Sequence, residues 1–424
     1  MAPKSKAGTK RSARVDISPP AVKRKRANEE PTYREESGFE EKEKKAKTPA
    51  KRQSKKVKVE DLMPLAVRTI GSKILVGAHI SGAGAGVHNA IVNSVHIGGN
   101  AFSLFMKSQR KWAFAPLSNE VEVSFASACK EHQYGAPHHE IPPIVPHGSY
   151  LVNLAHTEAS RAKQAYDHFL DDLSRCHKLG IRLYNFHPGN AVGAESRSEA
   201  ISHIAKQLNK AHNDESSGKV ITLLETMAAF GGNTIGTTFE ELAEIIEQID
   251  DKNRVGVCLD TCHIFAAGYD LRTPESYKDT MDRFESTIGL RYLKAFHIND
   301  SKAPLNSGRD LHANIGTGFL GLKSFWNVVN DTRLWGLPLI LETPIDRKNK
   351  DGKNEEDKSV WAGEIKLLES LVGMDPEGAE FEKLSTELQS QGKAERERVQ
   401  AQVDKRKPKG KKKKKNASTD EESE

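Results

Sequence analysis

Between residues 147 and 342 a histidine or a carboxylate closes one short apolar run after another: His147 in IVPHGSYL, His187 in LYNFHPG, Glu225 in ITLLETM, Asp260 in VGVCLDTCH, His297 in LKAFHIND and Glu342 in LILETP. The steps between them are 40, 38, 35, 37 and 45 residues. A strand, a helix and two loops take up about this length in a β/α barrel of roughly 250 residues. Two further apolar runs come first, KILVGAHIS from Lys73 and AFSLFM ending at Met106, which makes eight strands. The stretches between have helical spacing: 158–179 closed by Gly180, 196–213, 238–250, 273–288 closed by Gly289, 321–331, and 361–372 closed by Gly373. Thr273-Pro274-Glu275 supplies an N-cap, a first-turn proline and a first-turn acid. Strict alternation argues for a parallel sheet, and eight strands argue for closure, so the expected fold is α/β, a (β/α)8 TIM barrel. An open doubly wound sheet is the alternative, and it would not bring six successive strand ends into one pocket.

One histidine after a strand is ordinarily structural, but six strand ends bearing only His, Asp or Glu point to shared work. Barrel active sites sit at these C-terminal strand ends, and imidazole with carboxylate suits zinc or manganese rather than calcium. His263, three residues after Asp260, and the pair Asp310 and His312 in SGRDLHANIG complete a set of five histidines and four carboxylates. Asp260 and His263 can each reach a different ion from one loop, and Asp310 and His312, two apart on extended chain, face one way. Nine donors exceed a single three-ligand zinc site and suit two or three ions sharing a bridging carboxylate. Ions about 3.5 to 4 Å apart suit in-line phosphoryl displacement by a metal-activated hydroxide. Four carboxylates leave such a pocket cationic and attractive to phosphate.

Around the pocket, His79 in GAHIS is expected to contact a ligand or a phosphate. Arg110 and Trp112 in SQRKW, with Tyr150 and Leu151 just past His147, offer a cation and flat or apolar side chains that could fill a gap in a base stack. His138-His139-Glu140 reads as a loop ahead of the third strand, and Cys258 and Cys262 as small buried residues rather than thiolate ligands.

Charge is distributed unevenly. Residues 1–72 hold 20 Lys and Arg against 10 Asp and Glu, residues 73–374 hold 31 against 36, and residues 375–424 hold 13 against 12. An acidic body thus carries polar, partly basic tails. The first 72 residues have too few large apolar side chains to offset the entropy of ordering, so a disordered tail is expected there. Within it, Lys10-Arg11 and Lys23-Arg24-Lys25-Arg26 form a two-cluster nuclear-import pattern. A single acid, Asp16, among the first 28 residues leaves mitochondrial import as a second address, although Pro3, Pro19 and Pro20 spoil an amphipathic helix there. Residues 375–424 read as a charged tail, with an exposed helix conceivable before Lys405-Arg406-Lys407 and the run Lys411 to Lys415. That run could aid import, hold DNA phosphates or remain solvated. No apolar segment reaches membrane-spanning length and no secretory core opens the chain, so a soluble intracellular protein is expected. Four cysteines do not make a disulfide framework in 424 residues.

From about Lys73 to Gly373 the chain resembles the endonuclease IV family of apurinic/apyrimidinic endonucleases, and its tails look like those of a eukaryotic member. The resemblance rests on GAHIS (77–81), QRKW (109–112), PHGSYL (146–151), NFHPG (185–189), LDTCHIFAAGYDLRTP (259–274), HINDSK (297–302) and LILETP (339–344). It implies a barrel with three zinc ions: His147, His187 and Glu225 on one, Glu225, Asp260, His297 and Glu342 on a second, and His263, Asp310 and His312 on the third. Glu225 is also the residue on which catalysis is expected to depend most. Arg110, Tyr150 and Leu151 match positions that enter the DNA stack when the damaged nucleotide flips out. The implied partner is double-stranded DNA with abasic sites or blocked 3′ ends. The implied reaction is hydrolysis of the phosphodiester 5′ to the abasic site, leaving a 3′-hydroxyl, with 3′-phosphodiesterase or 3′-phosphatase activity beside it. A nuclear monomer using the import machinery is expected. The chain departs from the family pattern at Thr226 and Ala229-Phe230, where Asn and a Gly-rich turn are usual.

Two other readings compete. Sugar isomerases and epimerases also set metal ligands at barrel strand ends, but the Asp310/His312 pair and the basic tails speak against them. A damage-binding scaffold with a relic barrel would not need all nine donors.

Overall fold

The computed structural model describes residues 63–406 apart from 83–85, 110, 136, 229–231 and 350. The N-terminal import features, Arg110, Ala229-Phe230 and the lysines from Lys407 onward lie outside the described residues. In chain order the strands are β1 Leu75–His79, β2 Ala101–Ser103, β3 Leu183–Phe186, β4 Ile221–Glu225, β5 Val255–Asp260, β6 Leu293–His297, β7 Asp300–Ser301, β8 His312–Ala313, β9 Pro338–Leu341, β10 Asp346–Lys348 and β11 Asn354–Glu356. The helices are α1 Asn89–His96, α2 Asn119–Glu131, α3 Ala159–Lys178, α4 Arg197–His212, α5 Phe239–Glu247, α6 Thr261–Ala267, α7 Pro274–Thr287, α8 Leu322–Asn330, α9 Ser359–Ser370 and α10 Ala379–Arg406.

Seven strands pair in the order β2-β1-β9-β6-β5-β4-β3, all in parallel. The eighth stave is the stretch that ends at His147. Pro142, Pro143 and Pro146 each lack an N–H, so no continuous ladder forms there. Single parallel bridges do the closing instead, Phe102 to Ile144 and Phe105 to His147 on one side and His147 to Asn185 on the other. The Val145 N–H donates to Phe102 O, the His147 N–H to Leu104 O and the Asn185 N–H to Pro146 O, each at 2.9 Å. The expected TIM barrel is therefore present, with one stave held by bridges rather than by a regular strand.

Alternation along each strand sorts the side chains. Val145, Leu183, Ile221, Leu223, Cys258 and Ala295 form one small interior cluster, and Leu75, Ala101 and Ile340 another. Two residues on from Val145, Leu223, Cys258, Ala295 and Ile340 come His147, Glu225, Asp260, His297 and Glu342, so the same face of each strand carries an apolar floor and then a metal-capable group. The opposite faces, with Tyr184, Leu224, Val257 and Phe296, pack into the large core beneath the helices.

All six expected helices form, with α4, α5 and α7 capped by the side chains of Ser196, Thr238 and Thr273. Helices α1, α2 and α6 were not evident from spacing. Residues 63–72, expected as part of the tail, pack on the barrel: the Leu65 N–H donates to His96 O at 2.8 Å, and the Arg68 guanidinium lies 4.1 Å from the centre of the Tyr134 ring. Residues 379–406, expected as charged tail, form α10, which buries Phe381 and Val399. Among the described residues, no helix is long and apolar enough to cross a membrane.

Helix α9 ties the loops after β8 and β9 together through Glu364. Its carboxylate accepts from the Ile315 N–H at 2.7 Å, from Asn314 Nδ2 at 3.2 Å and from the Thr343 hydroxyl. Burial pushes this carboxyl up to about 7, against those three donors, which pull it down. A folded value above the unfolded one, near 4.5, means that Glu364 contributes stability below pH 4.5 that is lost as pH rises through 7. Glu364→Gln, which keeps an acceptor for Ile315, should remove this loss. Urea unfolding of both proteins should show the variant gaining roughly 3 kcal/mol relative to the parent between pH 4.5 and 7.5. A difference that does not change with pH would contradict this role.

Candidate metal centre

The predicted ligands converge at the C-terminal mouth of the barrel. His147, Glu225, Asp260 and His297 are buried strand-end residues, while Glu342 follows β9 directly. His187 follows β3, with its side chain 27% exposed toward the opening. The ligand atoms of Glu225, Asp260, His297 and Glu342 all lie within 4.8 Å of one another, as do those of His147, Glu225 and His297, and those of Asp260, His263 and His312. Glu225 sits between groups: His147 Nε2 is 3.0 Å from Oε2, His187 Nε2 3.5 Å from the same oxygen, and His297 Nδ1 3.2 Å from Oε1. Asp310 reaches in from the excursion between β7 and β8, 3.2 Å from His263 Nε2 and 3.1 Å from His312 Nε2.

His263 does not come from a loop, as its spacing suggested, but from the first turn of α6. Asp260 is the N-cap of that helix: one carboxylate oxygen, Oδ1, accepts the His263 N–H at 2.8 Å, and Oδ2 faces His297 and His312. Capping therefore locks the orientation of a candidate ligand. Cys258 lies in the interior layer below Asp260, as expected of a small buried residue. Cys262, also buried, has its sulfur within 4.8 Å of ligand atoms of Asp310 and His312, and burial holds its thiol well above the usual range, in the neutral form.

The donors fit metal ions by their arrangement. The Nε2 atoms of His263 and His312 are buried against Asp310 yet make no aligned hydrogen bond, as expected of donors aimed at a shared point. Three carboxylates with oxygens within 4.8 Å of one another repel by about 3 kcal/mol per pair at an effective dielectric of 20. Cationic charge is needed among them. The histidines answer part of this need: burial favours the neutral ring, but the surrounding anionic groups outweigh it. His297 and His263 are thereby held well above the usual imidazole value, and His312 is pushed up to about 9. Burial likewise opposes ionisation of Glu225, but His297, His187 and His147 hold its carboxyl well below the usual range. Such a site exchanges protons for metal.

Several orienting residues were not singled out in the sequence. Asn185 donates to Glu225 Oε2 at 2.6 Å. Asn299 donates to Asp260 Oδ2 at 2.8 Å and accepts the Glu342 N–H at 2.9 Å. Their signal was inside the motifs NFHPG and HINDSK, beside the ligands. His79, read as a ligand or phosphate contact, touches Glu342 Oε1 through Nδ1 at 2.9 Å. Tyr150 stands over the ligands, its ring centre 5.3 Å from both His147 and His187, and it is 57% exposed; Leu151 beside it is 39% exposed. Trp112 and Leu151 line a shallow cleft of about 480 Å³ with Asn153 and Arg161. His138 to Glu140 lie in turns outside the cluster.

Residues 92–371 match the family described as Xylose isomerase-like TIM barrel. Over 296 residues the chain is 45% identical to a probable endonuclease 4 of Campylobacter curvus, a match that covers 70% of this chain and 97% of that one. The chain belongs to the endonuclease IV family of apurinic/apyrimidinic endonucleases. It is also 42% identical over 304 residues to apurinic-apyrimidinic endonuclease 1 of Schizosaccharomyces pombe, covering 72% of this chain and 84% of the relative. Endonuclease IV from Thermus thermophilus has a similar structure, with a TM-score of 0.57 at 30% identity over 70% of this chain and 98% of that one.

Thr226, read from the sequence as a departure from the family pattern, is integrated into the site. Its hydroxyl accepts the Asp260 N–H at 2.9 Å and its carbonyl lies 2.8 Å from His263 Nδ1, which turns the opposite ring nitrogen toward Asp310.

Proposed function

We propose that this chain is a zinc-dependent DNA-repair endonuclease that hydrolyses the phosphodiester 5′ to an apurinic/apyrimidinic site and leaves a 3′-hydroxyl. The observation that carries the reading is the convergence of His, Asp and Glu donors on one barrel mouth, eight of them in overlapping close groups and His187 3.5 Å from Glu225. His147, His187 and Glu225 would hold one ion, Glu225, Asp260, His297 and Glu342 a second, and His263, Asp310 and His312 a third. When bound, zinc ions supply Lewis acidity toward a phosphoryl oxygen and bring water to its nucleophilic form at neutral pH. Zinc suits this mixed imidazole and carboxylate set.

The chain's own residues do the rest. Asn185, Asn299 and Thr226 fix the carboxylates and His263 in direction, so that little reorganisation accompanies reaction. Tyr150 and Leu151, large and exposed at the rim, are suited to enter the gap left when a damaged nucleotide leaves the stack, and Arg110, which lies outside the described residues, is proposed as a third such residue from the resemblance alone. Blocked 3′ ends offer the same phosphodiester or phosphomonoester to the same pocket, so 3′-phosphodiesterase and 3′-phosphatase activity belong to the proposal. Residues 73–374, with 63–72 and α10 packed on them, are proposed as the catalytic domain, the residues before 63 as a tail carrying a nuclear-import signal with mitochondrial import as a second address, and those after α10 as a charged C-terminal extension. The protein is proposed to act as a monomer.

A 5′-labelled duplex with one abasic site tests the reaction. The expected product is a single fragment cut on the 5′ side whose end a polymerase extends, while an undamaged duplex stays intact. A cut on the 3′ side, or none, would contradict the proposal. In the same assay Tyr150→Ala with Leu151→Ala should lower incision by about 10- to 100-fold, as the loss of one or two stacking contacts implies, and should leave metal content unchanged. Parental incision by this double variant would remove the wedge role.

A further inference from the structure

We infer that α10, which begins beyond residue 371 where the family match ends, is a brace for the metal-bearing excursion between β7 and α8, with Gln389 and Arg396 as positioning residues for the subsite of Asp310 and His312. The inference rests on the functional reading above only in calling that subsite a zinc site.

The excursion leaves the barrel at Asp300 and returns at Gly321, and it carries Asp310 and His312 on the way. The pairing of β7 with β8, the Asp300 carboxylate and Glu364 hold parts of this segment, and two of the nine donors on it must stand still to about half an ångström to serve a metal. Three consecutive carbonyls just past His312 are taken up by α10. Gln389 Nε2 donates to Gly316 O at 2.7 Å and to Gly318 O at 2.9 Å, and Arg396 Nη1 donates to Thr317 O between them. Arg396 Nη2 also donates to the backbone carbonyl of Gln389 at 2.8 Å, which ties the Arg396 side chain to the turn of α10 that carries Gln389.

The helix lies directly on this backbone. A Cβ on Gly392 would stand 1.8 Å from Thr317 O, so only glycine admits the approach at that turn. Leu388 fills the space above Gly316, where a Cβ would come within 2.7 Å of its Cδ1. Near the far end of α10, Gln402 Oε1 accepts from Arg309 Nη1 at 3.2 Å, immediately before Asp310. The contacts of α10 thus reach both sides of the Asp310/His312 pair. Helix α10 buries Phe381 and Val399 and packs Leu384 and Leu388 against the core, and the polar contacts above add to this apolar docking.

The test uses the full chain with three substitution sets: Gln389→Ala with Arg396→Ala, Gly392→Leu, and the conservative Arg396→Lys. Amide hydrogen exchange is read on metal-free protein, and release of zinc to a chromophoric chelator is read on zinc-loaded protein. The first two should exchange the amides of 313–319 at least about tenfold faster, while β5 and β6 stay as in the parent. They should also release one fraction of the zinc at least about tenfold faster, with the remainder unchanged. Arg396→Lys keeps a cationic donor for Thr317 O and should behave like the parent. Unchanged exchange at 313–319 in both disruptive variants overturns the brace. Faster exchange with unchanged zinc release overturns its link to the metal subsite. A parent chain that takes up no zinc would contradict the functional reading instead, and the exchange arm would still decide the brace.

Discussion

Glu225→Gln is expected to lower incision of an abasic duplex by at least about 1000-fold, a loss of roughly 4 kcal/mol of transition-state stabilisation. The carboxamide keeps the volume of a wholly buried side chain but not its charge. Glu225 has contacts from His147, His187 and His297 and belongs to two of the candidate groups, so its loss would disturb two of the proposed ion positions at once. Asn185, which donates to the carboxylate, would face an amide that satisfies it only through the carbonyl oxygen. The far-ultraviolet circular dichroism should match the parent, because the barrel's apolar layers lie below the ligand layer. Near-parental incision by a folded Glu225→Gln protein would show that the bridging position is unnecessary.

Asp300→Ala is expected to have the largest effect on stability of any substitution outside the ligands. The Asp300 carboxylate is fully buried and accepts four backbone N–H groups: Ser301 at 2.6 Å, Gly318 at 2.8 Å, Leu320 at 3.0 Å and Gly321 at 3.3 Å. It therefore fastens both ends of the excursion that carries Asp310 and His312. Gly318 has no room for a side chain, since a Cβ would meet Asp300 Oδ1 at 2.1 Å. Removing the carboxylate strands these donors at about 1 to 3 kcal/mol for each that water does not reach. A net loss of roughly 4 kcal/mol, and a melting temperature lower by on the order of 10 °C, is expected. A loss below about 1 kcal/mol would mean that the excursion is held elsewhere.

These two residues also mark how far the sequence could be read. Glu225 was legible because chemistry forced a charged residue to the end of an apolar run, and β4 carries it at the interior position that alternation assigns. The helices were legible where polar caps bound them, as at Ser196, Thr238 and Thr273. Asp300 was not, although it stood in HINDSK, because its four partners lie up to 21 residues away and a buried carboxylate facing N–H groups has no local pattern. Asn185 and Asn299 were missed for the same reason: their partners belong to other strands.

Other departures have local causes. The stave at 144–147 looked like an ordinary strand, but its prolines forbid a ladder. Helix α6 follows β5 without a linker, so Asp260 ends a strand, caps a helix and offers a candidate ligand at one position, and no loop separates the signals. Helix α10 has the composition of a solvated tail. Its few apolar residues and the Gly392 contact acquire meaning only against the backbone of residues 316–318.

Elemental analysis of the purified chain, paired with abasic-duplex incision before chelation, after it and after zinc is restored, tests the central claim most directly. The expected result is about three zinc ions per chain, with 5′-side incision that disappears with the metal and returns with it. A chain that holds one metal or none and still cuts at the abasic site would contradict the account.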